Sequence, residues 1–305
     1  MSSWRIVFMG TPDFAVESLK ALLQAGYNVV GVVTAPDKRA GRGQKLSESA
    51  VKQYAQEQGL PILQPIKLKD PEFIAQLSAL KPDLQVVVAF RMLPETVWNL
   101  PPQGTVNVHG SLLPKYRGAA PINWAILNGE KETGVSTFKL KHEIDTGDIL
   151  LQEKMPIGPN ETAGELHDRM KVEGAQLLVK TLQELANGTL KASPQQLNSD
   201  TKHAPKLFKG DYEIDWNKAA EQIHNQIRGL SPYPTAFTVL GDKTLKIFSA
   251  EIEPGKPEIP AGTFSSDHKS YLKFAATDGY LSLKEMQLEG KKKMGIEEFL
   301  RGIRL

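Results

Sequence analysis

Asn107 and His109 are the residues whose types and spacing most directly suggest chemistry. They stand two positions apart in the run Thr105 to His109, and alternate side chains of a strand share one face. An amide NH2 on that face can donate to a developing oxyanion, and an imidazole can transfer protons near neutral pH. The pair therefore indicates a catalytic site, although two hydrogen-bonded polar residues at a sheet edge would give the same pattern.

An acidic loop further along the chain could complete this pair. The segment His142 to Asp148 contains several carboxylates and a glycine, and apolar runs flank it on both sides. A carboxylate such as that of Asp145 can orient an imidazole and tune its pKa. The alternative is an Asx turn made by Asp145 or Asp148, and the pattern alone leaves both interpretations open.

Three other classes of site have weaker support. His109, His142 and Asp145 could be written as a metal site, but no H-E-x-x-H pair occurs and the chain has no cysteine. Ser111 follows His109, yet the G-x-S-x-G turn of a serine hydrolase is absent. Gly10 follows the first apolar run as a single glycine, which favours a tight turn over a dinucleotide-binding loop. We therefore expect neither a metal nor a nicotinamide cofactor.

The first half of the chain alternates apolar runs with helical patterns, which predicts a Rossmann-like parallel sheet covered by helices. Such sheets bind ligands at the carboxyl ends of their strands, where His109 would lie. The predicted strands are Arg5–Met9, Val29–Val33, Leu84–Phe90 and Thr105–His109. The predicted helices are Pro12–Ala25, Ser47–Gln58 with Ser47 as its N-cap, Pro71–Leu80 and Thr162–Ala186.

A different pattern follows the long helix. The segment Asn187 to Pro205 is rich in Gly, Ser, Pro, Asn and Gln, which is typical of a linker. Beyond it, a helix at Asn217–Arg228 and several short strands broken by Gly and Pro turns predict a small β-barrel of OB-like form. We therefore predict a catalytic domain over residues 1–189, a linker over 190–206 and a β-barrel domain over 207–305.

Composition restricts the class of protein further. Of 305 residues, 40% are hydrophobic and 24% charged, as in ordinary globular proteins, and the formal net charge is +2. The absence of cysteine excludes disulfides, thiolate metal ligands and a cysteine nucleophile. The apolar run Ile6 to Met9 is too short for a signal-peptide core, and no apolar stretch has the length of a membrane span. We expect a cytoplasmic, monomeric protein without membrane association.

The run from Asn107 to Gly118 resembles the core of the 10-formyltetrahydrofolate-dependent formyltransferases. Its Asn-x-His pair is followed by Ser-Leu-Leu-Pro and then Arg-Gly, and Asp145 opens an Asp-Thr-Gly-Asp sequence. The resemblance implies that Asn107, His109 and Asp145 form the catalytic trio. It also implies that the folate lies against Ser111, Leu112, Leu113 and Pro114.

The resemblance covers nearly the whole chain. It includes Phe8–Phe14, Thr34–Asp37, Ala204–Leu207 and Pro232–Pro234, which are similar to the branch of the family that formylates an aminoacylated tRNA. It implies 10-formyltetrahydrofolate as formyl donor, initiator methionyl-tRNA as acceptor, and a role in translation initiation.

A basic loop after the second strand is the part that this branch presents to the tRNA acceptor end. By resemblance we assign tRNA binding to Lys38, Arg39, Arg42 and Lys45. Arg42 is the position at which we expect the largest effect, although charge alone would equally fit a solvated surface loop. The C-terminal barrel also helps to hold tRNA in this family, which makes the run Lys291–Lys293 a candidate phosphate contact.

Some positions differ from the family pattern. Residues that are less usual in the family stand at Phe90-Arg91-Met92, Gly110 and Lys115-Tyr116, and they affect the folate pocket and not the trio.

Related functions remain as alternatives. A formyltransferase acting on glycinamide ribonucleotide or an amino sugar would share the core, but the basic loop and C-terminal domain argue against it. A folate- or RNA-binding protein without catalysis would not need the trio.

Overall fold

The structure is a computed structural model that describes residues 4–40, 45–197 and 201–302. Its contacts divide the chain into two compact units. The first unit comprises Met1–Gly118, Thr133–Met155 and His167–His203, and the second comprises Ala119–Glu132, Pro156–Leu166 and Ala204–Leu305. Two internal segments thus cluster with the C-terminal part, which the sequence pattern did not indicate. The domain boundaries at residues 189 and 207 stay a prediction.

Most elements up to the long helix alternate between strand and helix as the sequence pattern predicts. In chain order the elements are β1 (Arg5–Gly10), α1 (Asp13–Gln24), β2 (Asn28–Val33), β3 (Lys38–Ala40), β4 (Lys45–Ser47), α2 (Ala50–Glu57), β5 (Ile62–Leu63), α3 (Pro71–Ala79), β6 (Leu84–Val88), α4 (Glu95–Trp98), β7 (Thr105–His109), β8 (Arg117–Gly118), α5 (Pro121–Leu127), β9 (Glu132–Lys139), β10 (Ile149–Pro156) and α6 (Ala163–Ala186). The alternation does not hold for β2 to β4, β7 to β8 and β9 to β10, which are consecutive strands.

Seven strands form the sheet of the first unit, in the order β10-β9-β7-β6-β1-β2-β5. The pairs β1–β2, β1–β6, β2–β5 and β6–β7 are parallel, and β7–β9 is antiparallel. All five residues of β6 are buried, as expected of a strand covered on both faces. The predicted parallel sheet is confirmed. Because β1 has β2 on one side and β6 on the other, the chain order reverses there, and such points open a ligand crevice.

Helix α2 begins later than predicted. Ser47 is the last residue of β4, and Ser49 is the N-cap, with its Oγ accepting a hydrogen bond from the Lys52 backbone N–H at 3.0 Å. The N-cap predicted at Ser47 is therefore wrong by two residues, although Ser49 is a serine as well and meets the same capping preference. The pairing of β3 with β4 occupies Ser47 and shifts the helix start to Ala50.

Helix α6 is the longest helix, with 24 residues. A capping box closes its start: Thr162 Oγ1 accepts from the Glu165 N–H at 3.2 Å, and Glu165 Oε2 accepts from the Thr162 N–H at 2.8 Å. The bond from the Thr162 backbone N–H, followed by one that the Thr162 hydroxyl donates to Glu165 Oε2 at 2.8 Å, holds the pKa of the Glu165 carboxyl below its ordinary value. In the part of the chain that the structure describes, neither this helix nor another is long and apolar enough to cross a membrane.

The remaining elements belong mainly to the second unit. They are β11 (His203–Ala204), a 3-10 helix (Lys209–Tyr212), α7 (Ala220–Leu230), β12 (Ala236–Leu240), β13 (Lys243–Pro254), β14 (Phe264–Ser266), β15 (Leu272–Ala275), β16 (Gly279–Leu288), β17 (Met294–Gly295) and α8 (Ile296–Gly302).

An antiparallel sheet of six strands forms the second unit, in the order β12-β13-β16-β15-β14 with β17 paired to β16. Alternate residues of β16 are buried, so one face of the sheet covers a core. Trp216 stacks on Phe274 within this core, with ring centroids 4.7 Å apart. The predicted small β-barrel is confirmed as a curled, half-barrel sheet.

Helix α5 packs against α7 inside the second unit. The Asn123 side-chain amide donates to the Gly229 carbonyl at 2.8 Å. A Cβ on Gly229 would lie 3.0 Å from the side chain of Leu127, so the two helices approach closely at this glycine. Leu127 at the end of α5 therefore packs against the hydrophobic core of the C-terminal unit.

A buried histidine on α7 predicts acid sensitivity of this unit. His224 is 8% exposed, and burial, followed by the positive charge of Arg228, lowers its pKa from the ordinary 6.5. As the pH falls, the unfolded chain takes up the proton first. The neutral imidazole thus contributes stability above the unfolded pKa, and this contribution falls by about 1.4 kcal/mol per pH unit below it, until the folded-state pKa is reached.

We therefore expect the free energy of unfolding to fall more steeply from about pH 7.5 to pH 5.5 in the unmodified protein than in His224→Gln. Denaturant unfolding of both proteins at several pH values measures the difference. His268→Asn, which removes an exposed histidine of the same unit, is the matched control and should keep the steep fall. Parallel curves for His224→Gln and the unmodified protein would contradict the prediction.

Candidate active site

The structure brings His109 and Asp145 together at the carboxyl end of β7. His109 is the last residue of that strand and is buried, and Asn107 is half-buried two positions earlier. Asp145 lies in the connection between β9 and β10, and its Oδ2 is 3.8 Å from His109 Nδ1. His109 and Asp145 of the predicted trio thus face each other, and Asn107 lies on the same strand as His109.

The ring of His109 is held in one orientation. Its Nε2 is 2.9 Å from the Tyr116 carbonyl oxygen, and a carbonyl can only accept, so Nε2 carries a proton and donates it. The edge of the ring packs against Phe138 at a centroid distance of 6.4 Å and an interplanar angle of 82°. The other ring nitrogen, Nδ1, faces Asp145.

The two aspartates of the acidic loop have different surroundings. Asp145 Oδ2 accepts from the Gly118 N–H at 2.9 Å, so its carboxylate bonds a distant segment and is not used in a local Asx turn. Its backbone has a φ of 54°, the left-handed region that Asp tolerates better than most residues. Asp148 instead accepts from Lys141 Nζ at 2.7 Å. Of these two carboxylates, Asp145 is the one directed at His109.

His142 lies apart from this pair. Its side chain is 85% exposed, and its Nδ1 is 3.8 Å from Glu95 Oε2. The set His109, His142 and Asp145, considered above as possible metal ligands, is therefore not brought together. Another group, Asp13, His167 and Asp168, comes close enough to hold an ion, but Lys171 Nζ already lies 2.8 Å from Asp168 Oδ1.

The Ser-Leu-Leu-Pro segment is built into the same end of the sheet. Ser111 Oγ donates to the Lys115 carbonyl at 2.6 Å, and Leu113 is buried with its N–H bonded to Ser136 Oγ at 3.1 Å. Leu112 and Pro114 are half-buried. Of the four predicted folate residues, Leu112 and Pro114 therefore keep exposed side-chain surface for a ligand. Ser111 and Leu113 are buried, and their hydrogen bonds fix the conformation of the segment.

The basic segment forms a short hairpin where the sequence pattern shows only a polar loop. In the pairing of β3 with β4, Lys38 lies opposite Ser47 and Arg39 opposite Leu46, and Lys45 also belongs to the hairpin. The side chain of Lys38 is exposed. Arg42, the position expected to matter most, lies outside the described residues.

Asp37 anchors the base of this hairpin, a role that the sequence did not reveal. Its Oδ2 is 2.5 Å from Lys52 Nζ on α2, and its Oδ1 accepts from Gln64 Nε2 at 2.8 Å after β5. The hydrogen bond from Lys52, followed by that from Gln64, holds the pKa of the Asp37 carboxyl below its ordinary value. Three elements are thus joined where the basic segment begins.

Other residues named from the sequence have clear positions. The Arg91 side chain donates to the carbonyls of Pro65 and Ile66, and it therefore ties the loop after β6 to the loop after β5. Lys292 and Lys293 of the lysine run are paired with Glu298 at 3.1 Å and Glu285 at 2.8 Å.

Gln195 is a residue of this site that the sequence analysis missed. Its Nε2 donates to the carbonyls of Asp145 at 2.9 Å and Gly147 at 2.7 Å, and its Oε1 accepts from Arg117 Nε at 3.0 Å. Gln195 belongs to the segment predicted as a linker, whose composition carries no sign of a site. Arg117 stands in the recognised motif but had no assigned role.

Family comparisons match both parts of the chain. Residues 4–182 match the model of the formyl transferases, and residues 206–304 match that of the formyl transferase C-terminal domain. A methionyl-tRNA formyltransferase from Parabacteroides distasonis is 53% identical, over 98% of this chain and 96% of its own. One from Flavobacterium johnsoniae is 49% identical, over 99% and 97%.

Solved structures share the fold. An N-formyltransferase from Helicobacter canadensis, in complex with folinic acid and dTDP-3-aminofucose, aligns with a TM-score of 0.68 at 22% identity, over 95% of this chain and 100% of its own. HypX from Aquifex aeolicus in complex with tetrahydrofolic acid aligns with a TM-score of 0.66 at 18% identity, over 99% of this chain and 48% of its own.

Proposed function

The chain belongs to the methionyl-tRNA formyltransferases of the formyl transferase family, and from this membership we propose that it transfers the formyl group of 10-formyltetrahydrofolate to the free amino group of methionyl initiator tRNA. The reaction prepares the tRNA for translation initiation. The observation that carries the proposal is the pairing of His109 with Asp145 at the carboxyl end of β7, in a chain related over both domains to enzymes of that name.

The reaction is an acyl transfer between two nitrogens. The amine nitrogen of methionine attacks the formyl carbon, and the carbonyl oxygen becomes an oxyanion. The bond from the formyl carbon to the folate nitrogen then breaks, and one proton passes from the attacking amine to the leaving nitrogen. Asn107 donates a hydrogen bond to the oxyanion, which is where charge develops.

His109 transfers the proton between the two nitrogens, and Asp145 stabilises the positive charge that His109 acquires. With Nε2 donating to the Tyr116 carbonyl, the imidazole takes the proton of the attacking amine at Nδ1 and carries positive charge beside the oxyanion. It then passes that proton to the leaving folate nitrogen. The carboxylate of Asp145, 3.8 Å from Nδ1, stabilises that imidazolium and keeps the ring in place. Leu112 and Pro114 supply apolar surface for the folate.

The acceptor is recognised by basic residues outside the trio. Lys38, Arg39, Arg42 and Lys45 contact the acceptor end of the tRNA, where positive charge offsets that of the phosphates. The C-terminal domain of residues 207–305 holds the body of the tRNA, with Lys291 to Lys293 as candidate contacts. The enzyme works as a monomer, and its substrate places it in the cytoplasm, where translation starts.

A formyl-transfer assay tests the function directly. Purified protein is incubated with 10-formyltetrahydrofolate and, in separate reactions, with methionyl initiator tRNA, glycinamide ribonucleotide or a dTDP-amino sugar. Formyl transfer to the tRNA alone is the expected result. Transfer only to a small acceptor would support formyl transfer but contradict the assignment of tRNA as acceptor. Transfer to none of the three would contradict the proposal that the protein is a formyltransferase.

Arg42→Ala should weaken engagement of the tRNA without changing the chemistry. We expect KM for methionyl-tRNA to rise by roughly tenfold and its dependence on salt to become shallower, because one phosphate contact is lost. KM for the folate should stay the same. Lys69→Ala, which removes an exposed lysine elsewhere on the first unit, is the matched control. Normal tRNA kinetics of Arg42→Ala would remove this residue from the interface.

A further inference from the structure

The segment after α6 returns to the active site. Ser193 pairs with the first residue of β10: the Ile149 N–H donates to the Ser193 carbonyl at 2.8 Å, and the Ser193 N–H donates to Ile149 at 2.9 Å. Further on, the Lys202 carbonyl accepts from the Tyr116 N–H. The stretch that its composition identifies as a linker is thus bonded to segments that carry Tyr116 and the acidic loop.

Within this stretch, the side-chain amide of Gln195 forms hydrogen bonds through both its nitrogen and its oxygen. Each N–H of the amide donates to a carbonyl of the acidic loop, one of Asp145 and one of Gly147, and the oxygen accepts twice from Arg117, through Nε and Nη2. A guanidinium can only donate, so Arg117 can bond only to the amide oxygen. Arg117 therefore fixes which way the amide of Gln195 points.

The bonded carbonyls lie at and just after the catalytic aspartate. Asp145 has a φ of 54°, a conformation that is uncommon for residues other than glycine and that needs support from its surroundings. Gln195 supplies this support from the backbone side, while the Gly118 N–H holds the carboxylate. Without Gln195, two carbonyls lose their donor and the loop can relax towards commoner conformations.

We infer that Gln195 is a positioning residue for formyl transfer: it holds the acidic loop so that the Asp145 carboxylate faces His109, and Arg117 sets the orientation of its amide. The inference rests on the role of Asp145 under the proposed function. Displacing a catalytic group by about 1 Å can cost up to about 100-fold in rate. We therefore expect Gln195→Ala to lower kcat by about 10-fold to 100-fold and to leave KM for both substrates nearly unchanged.

A double-mutant cycle in the full-length protein tests the inference. Turnover is measured for Gln195→Ala, Asp145→Asn and the double variant, with Gln196→Ala, which changes the exposed neighbour, as the matched control. If Gln195 acts through Asp145, the double variant should be as slow as Asp145→Asn and no slower. If Gln195→Ala slows Asp145→Asn by the same factor as the unmodified protein, its effect is independent of Asp145 and the inference is wrong.

A second variant separates the two ends of the side chain. Gln195→Glu keeps an oxygen for Arg117 but replaces the donor nitrogen by an acceptor that faces two carbonyls. It should be at least as slow as Gln195→Ala, and it keeps the test open if the alanine variant does not fold. Normal turnover of Gln195→Glu would overturn the inference. Normal turnover of Asp145→Asn would instead overturn the proposed role of Asp145, so the two failures can be told apart.

Discussion

Asn107→Ala should lower the turnover number of formyl transfer by about 10²-fold to 10³-fold, the usual effect of removing one oxyanion donor. The half-buried Asn107 lies two residues before His109 on β7. This strand is paired with β6 and β9, which hold the backbone of Asn107 in place. Because the bond to the oxyanion strengthens as charge develops, the loss should fall on kcat more than on KM for the folate. Steady-state kinetics with methionyl-tRNA measures both.

A conservative variant distinguishes the hydrogen bond from the packing. Asn107→Asp keeps the size of the side chain but replaces the donor NH2 by an oxygen, so it should be as slow as Asn107→Ala or slower. The free energy of unfolding of both variants should remain within about 1–2 kcal/mol of the original, since the residue is only partly buried. If Asn107→Ala retained normal turnover, Asn107 would not be the oxyanion donor.

Gly147→Ala should disrupt the acidic loop and thereby both stability and activity. A Cβ at this position would clash with the Lys139 carbonyl oxygen and would lie 3.1 Å from the Phe138 ring. Backbone cannot yield as a flexible side chain can, so the loop that carries Asp145 must move. We expect a loss of about 3 kcal/mol or more in the free energy of unfolding and turnover at least as low as that of Asp145→Asn.

The matched control for this prediction is Gly210→Ala, because a Cβ on Gly210 meets no atom within 4 Å. That variant should unfold and turn over like the original protein. Thermal unfolding and single-turnover formylation of the two variants make the comparison. A Gly147→Ala protein with normal stability would mean that the loop accommodates a side chain, and the close packing argued for it would be wrong.

The elements that the sequence predicted well are those whose burial leaves a periodic pattern. The strands β1, β2 and β6 are mostly apolar runs because the sheet covers both of their faces, and α6 shows one apolar stripe. Residues within a short segment, such as Asn107 and His109, could be placed on one face by alternation alone. The pairing of His109 with Asp145 required the family resemblance as well.

What the sequence could not predict depends on contacts between distant segments. The β3–β4 hairpin consists mostly of polar residues, so no hydrophobic pattern marks it. Asp37 and Gln195 bond to residues far away in the chain, and nothing in their neighbours indicates those partners. The start of α2 was predicted at Ser47, and only the pairing of β3 with β4 moves it beyond that residue. In each case the missing information is three-dimensional and has no local periodicity.

The packing of α5 on α7 has a consequence for how this protein can be divided or recombined. The chain enters the C-terminal unit at residues 119–132, leaves it, and enters it again at residues 156–166, before the last segment begins at Ala204. A truncation after His203 would leave Asn123 without the Gly229 carbonyl and expose the apolar surface around Leu127. The C-terminal sheet therefore cannot be exchanged as a unit at a single junction, in evolution or by engineering, because Leu127 from the first half of the chain packs against its core.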